Sequence, residues 1–111
     1  MKHVIWLKTD LFNSTESKAH FINERCFGED LVAWIIDNFP AGDFVLDEPF
    51  QEDWGWATLA RRGNETFLVG VGILDESIGE VPAEWMVIVE KMRRIMLFGS
   101  NTSPNIILLA E

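Results

Sequence analysis

The stretch from residue 54 to 74, WGWATLARRGNETFLVGVGIL, limits what this chain can fold into more than any other. Two runs of alternating character flank RRGN, in which Gly63 and Asn64 can take the positive φ that a two-residue hairpin loop demands. Alternation puts Trp54, Trp56, Thr58 and Ala60 on one side of the first run, and Gly55, Ala57, Leu59 and Arg61 on the other. In the second run Phe67, Val69, Val71 and Ile73 share one face, and Leu68, Gly70, Gly72 and Leu74 the opposite one. So short a connection admits only antiparallel pairing, because a parallel crossover needs a dozen or more residues. The alternate glycines form a trough that either accepts a tryptophan ring or leaves room for a ligand.

Around this hairpin the remaining segments read as follows. GEDLVAWIIDNFP, residues 28 to 40, carries a helix over 29–39. Gly28 stands at the N-cap, Glu29 and Asp30 suit the positive end of the helix dipole, and Pro40 stops the run. Leu31, Trp34, Ile35 and Phe39, widened by Val32 and Ile36, form a stripe that should bury Trp34 against a sheet. HVIWLK, residues 3 to 8, predicts an opening strand buried on both faces. Residues 9–20 read as a loop, residues 43–46 as a brief strand leading into the acidic loop LDEPFQED, and residues 75–83 as a second acidic loop. EWMVIVEKM, residues 84 to 92, is a further strand. RRIMLFGSNTSPN then carries basic residues into an apolar patch and a Ser/Asn turn, and NIILLAE docks as a last strand or a helical turn. The expectation is α+β: an antiparallel sheet of four or five strands with one main helix packed on one face.

With 111 residues, 48% of them apolar, the chain is read as a single domain, 1–111, able to build a core without metal or disulfide. Eighteen acids against nine Lys and Arg leave a net charge of −9, which repels nucleic acid and anionic membrane surfaces. A basic protein complements that charge, although a merely solvated acidic surface has the same composition. The single Cys26 excludes an internal disulfide, and MKHVIWLKTDLF lacks a signal-peptide pattern, which together point to the cytoplasm. No window approaches the ~18 apolar residues of a membrane span. The N-x-S/T matches at Asn13, Asn64 and Asn101 read as turn chemistry.

Catalytic sets are thin. Cys26 with His20 and Glu24 is the only conceivable nucleophile group, and it stands in no recognisable elbow. Asp47, Glu48, Glu52 and Asp53 cluster around Pro49 and Phe50, either as a solvated loop or as a general acid, base or cation-ligand set. They follow no known calcium-loop spacing. His3 and His20 are too few and too separated for zinc, and LVGVGILD holds only G-x-G without a following helix. No catalytic residue, metal or cofactor is therefore expected. Arg61, Arg62, Lys91, Arg93 and Arg94 are outnumbered by acids, so no nucleic acid partner is expected either.

FINERCFGEDLVAWI, followed by EDWGW, the FLVGVG strand and EWMVIVE, resembles small bacterial proteins in which a helix precedes a Trp-rich antiparallel sheet. The resemblance spans most of residues 21 to 90 and implies an α+β fold, with no activity and no functional residue attached. In those proteins a further helix follows the sheet, where this chain has NIILLAE. The leading functional expectation is a non-enzymatic, acidic protein-binding module, similar to the immunity proteins that neutralise basic toxins. Its binding residues would be Glu52, Asp53, Trp54 and Trp56, with Trp56 mostly buried and Trp54 partly exposed as an aromatic rim. One alternative is a small enzyme or ligand-binding domain whose pocket is lined by Trp54, Trp56, Gly70 and Gly72, with Glu52 or Asp53 as its polar group. Another is a self-associating structural protein, a homodimer paired through its edge strand and apolar termini.

Overall fold

The structure, a computed structural model, describes residues 2–40, 42–98 and 104–110. The hairpin forms as the alternation requires: β4 (Gly55–Arg62) and β5 (Glu65–Ile73) run antiparallel from Trp56 opposite Val71 to Arg62 opposite Glu65. Gly63, at φ 58°, closes the loop with Asn64. β6 (Ala83–Phe98) pairs with the outer side of β5, and β1 (Lys2–Thr9) pairs with β6 from Lys2 opposite Glu90 to Thr9 opposite Ala83. On the other flank β4 receives β2 (Val45–Leu46) and β3 (Phe50–Glu52). β7 (Pro104–Ala110) pairs with the distal half of β6, Met92 to Phe98.

The class is the expected α+β, with one helix on an antiparallel sheet. Seven strands are present among the described residues, more than the four or five foreseen. Two segments add the strands beyond five, β3 and β7, and a third lengthens one already foreseen. The acidic loop before EDWGW contributes β3, RRIMLF prolongs β6, and NIILLA becomes β7, the strand alternative for the C-terminal segment. The Ser/Asn turn expected after Phe98 falls on residues 99–103, outside the described residues, as does Asn101.

Two sheet faces follow from the register. Trp56, Thr58, Ala60, Phe67, Val69, Val71, Ile73, Trp85, Val87, Ile5 and Leu7 occupy what we call the front face. Leu59, Leu68, Gly70, Gly72, Met86, Ile88, Val4 and Trp6 occupy the back. Helix α1 (Glu29–Asp37) packs on the front over β4 and β5, and Leu31 and Val32 are buried there. The loop from residue 10 to 28 folds over the same face, bringing Phe12 to Trp85 and Phe21 to Trp56 with ring centroids 6.2 and 6.1 Å apart. Asn13 supplies the turn chemistry expected of it, its side-chain oxygen accepting the amides of Thr15 and Glu16.

Two expectations are corrected. Trp34 is 53% exposed rather than buried in the helix–sheet interface. At ~100° per residue, the stripe actually used, Leu31, Val32, Ile35 and Ile36, centres about 130° away from Trp34, and α1 ends at Asp37, before Phe39. Nor is β1 buried on both faces. It is an edge strand with β6 as its neighbour, and Ile5 and Trp6 are 53% and 61% exposed. A continuous apolar run fits a buried strand or an uncovered one equally well, because position in the sheet is set by long-range pairing.

Candidate functional site

EDWGW is a tight turn. Glu52 pairs with Gly55, so Asp53 and Trp54 are the two loop residues of a β3–β4 hairpin and Trp54 is not part of the strand. Gly55 has φ 156°, and a Cβ there would lie 2.1 Å from the carbonyl oxygen of Val71. The backbone passes so close to β5 that only glycine fits. As a result Trp54 and Trp56 point to opposite faces, correcting the reading that put them on one side. Trp56 enters the front core at 5% exposure, and its indole N–H donates to the Cys26 carbonyl at 2.8 Å. Trp54 turns to the back and lays its ring across Gly70, where a Cβ would come within 2.5 Å of Cη2. It remains 39% exposed. The glycine trough is thus filled by a ring from the turn. Beside that ring Glu52 is half-buried and Asp53 exposed, so three of the four expected binding residues meet at the turn while Trp56 lies in the core.

The candidate nucleophile is enclosed by the fold. Cys26 is fully buried and its thiol donates to the carbonyls of Gly55 at 3.3 Å and Glu52 at 3.4 Å. Burial pushes the thiol up from its ordinary range, outweighing the lowering effect of the Ile22 backbone, with smaller raising contributions from Asp53 and Glu29. His20 directs Nε2 to the Glu29 carboxylate at 2.8 Å. Asp47 accepts three hydrogen bonds from Arg61, at 2.8, 3.1 and 3.3 Å, and so is engaged outside the acidic cluster it was grouped with. Among the described residues no group of three His, Cys, Asp or Glu side chains is placed to hold a metal. No described helix is long and apolar enough to cross a membrane.

What the sequence reading missed is an open strip of the front face. A helix ~10 Å across covers about two strands spaced ~4.8 Å apart, and α1 takes β4 and β5. Over β6 and β1 an apolar groove of about 310 Å³ is left, lined by Ile5, Leu7, Phe12, Leu31, Trp34 and Val87. Trp34 and Phe12 form its wall, edge to face at 6.4 Å. The segments bordering it, α1 and residues 9–17, hold Asp10, Glu16, Glu29, Asp30 and Asp37 with no Lys or Arg. The faint signal for this groove was Trp34 itself, a large apolar side chain standing off the axis of an otherwise consistent helical stripe.

The back face is different in kind. Val4 and Trp6 are exposed, Leu59, Leu68, Met86 and Ile88 are half-buried, and none of the six belongs to the core cluster. Its charges are mixed. Lys2 stands opposite Glu90 and Lys8 opposite Glu84, with Arg61 and Glu52 at the far border. Compared with known proteins, the chain matches no family model, no curated protein and no solved structure.

Proposed function

We propose that this protein is a non-catalytic binding module whose partner is a basic protein, seated by an apolar surface in the groove between α1 and β1. The observation carrying this reading is the combination of an open apolar strip with a border along α1 and residues 9–17 that holds five acids and no Lys or Arg. Burial of Trp34 and its neighbours would supply affinity, since large aromatic anchors dominate interface energetics. Asp10, Asp30 and Asp37 would steer a cationic partner and select it over acidic ones. A net charge of −9 extends that steering over the whole molecule. The placement of Cys26, His20 and Asp47 supports a non-enzymatic reading, because each is engaged within the fold.

The test uses two synthetic amphipathic peptides with the same leucine face, one carrying Lys and the other Glu on its polar face. Titrated into the labelled protein, the Lys peptide should shift the NMR signals of Ile5, Leu7, Trp34 and Val87 selectively and bind at least tenfold tighter than the Glu peptide. Trp34→Ser should weaken that binding about tenfold or more while far-UV circular dichroism stays unchanged. Equal binding of both peptides, or shifts spread away from the groove, would overturn the proposal.

A further inference from the structure

The back face points to a second partner, and we infer that it is another copy of this chain, packed sheet against sheet about a twofold axis. Three observations converge on this. The first is extent. Five strands lie side by side on the path β1-β6-β5-β4-β2. Four of them, β1, β6, β5 and β4, run at least seven residues, and at ~4.8 Å between strands and ~3.3 Å per residue they make a face on the order of 450 Å² in plan. Side-chain relief enlarges the accessible area toward the ~800 Å² per partner that specific interfaces bury.

The second observation is charge. The molecule carries −9 and repels its own copies at most approaches. Among the described side chains, the back-face positions hold Lys2, Lys8 and Arg61 against Asp47, Glu52, Glu84 and Glu90, three bases to four acids, with Asp47 bonded to Arg61. A nearly neutral face with both signs can meet itself, as an isologous contact requires, whereas the acidic front groove would set like charges together. A basic partner is served by the front, and a second copy by the back.

The third observation is how the face is made. Gly70 and Gly72 flatten the middle of β5, and the Trp54 ring lies down on Gly70 instead of standing out from the sheet. A flat centre bordered by Trp6 on one side and Trp54 on the other suits aligned sheet packing, in which the two faces approach to ~10 Å. Cys26 is buried, so association by this route is non-covalent.

Sedimentation velocity of the full chain at micromolar concentration tests this. The expected mass is twice the 12.7 kDa of one chain. Trp6→Glu and, separately, Val4→Glu should each raise the dimer dissociation constant by at least about 30-fold, the effect of losing an interface anchor. Both sites are exposed, at 61% and 41%, so the variants keep their fold, which circular dichroism verifies. Ile22→Glu, 54% exposed in the loop over the front, should leave the dimer intact. A wild-type chain that stays monomeric overturns the inference. So does a dimer that survives both back-face variants, or one that Ile22→Glu dissociates. Peptide binding in the front groove is read independently, so the two proposals fail separately.

Discussion

The two faces of one sheet show how differently apolar residues can be employed. On the front, Trp85, Val71 and Trp56 are shielded by α1 and by the loop from residue 10 to 28, and exposure falls to 5% or less. On the back, Met86 and Ile88, which alternate with Trp85 along β6, and Trp6 of β1 join no core cluster. Composition does not separate the faces, since both are rich in large apolar side chains. Coverage does: one nine-residue helix and one loop suffice for about half of the front and for none of the back. An apolar residue therefore stabilises this fold only where something lies over it, and elsewhere it is available to a partner.

The largest contrast should appear between Trp85 and Trp6. Trp85→Ala removes the largest fully buried side chain and should cost about 3–5 kcal/mol in urea unfolding. Trp6→Ala, measured at concentrations low enough to keep the chain monomeric, should cost under about 1 kcal/mol. Equal losses would erase the distinction between the faces. Trp54→Ala falls between them, because it bares Gly70 while removing a ring still 39% exposed, and a loss of about 1–3 kcal/mol is expected.

Trp34→Ala sharpens the comparison within the front face. A core position would lose about 3–5 kcal/mol. With Trp34 exposed on the groove wall, the loss should stay near 1 kcal/mol while peptide binding drops. A loss above about 3 kcal/mol would return Trp34 to the helix–sheet interface.

Alkaline stability gives a smaller effect from the same buried region. The Cys26 thiol is raised in the folded state above its usual 9.0, so folding favours the protonated form. The contribution is complete below the unfolded value and is lost as pH climbs from about 9 through the folded value. Wild type should therefore lose more stability than Cys26→Ala between pH 8 and pH 10, measured as the shift in urea midpoint. Identical shifts would mean that the thiol is solvated. Smallest of all, Glu52→Gln combined with Asp53→Asn should change stability by less than about 0.5 kcal/mol, since neither carboxylate forms part of the core. A larger loss would make the acidic end of the EDWGW turn a structural element.

Local rules made part of this fold legible in the sequence. Alternation together with Gly63 specified the β4–β5 hairpin and the face shared by Phe67, Val69, Val71 and Ile73, and the acids after Gly28 marked where α1 begins. These features rest on steric preferences within a few residues, which any context leaves in place. Glu52, Asp53 and Trp54 share a turn because they are consecutive in the sequence, whereas the front groove and the nearly neutral back face had no counterpart there. Tertiary structure alone decided that Trp54 and Trp56 part company, because the separation depends on how closely Gly55 passes the Val71 carbonyl. It also decided that β1 ends as an edge and that Trp34 faces outward. Periodicity tells which residues lie together on a face, whereas which face is covered depends on where the helix finally rests and how many strands lie beyond it.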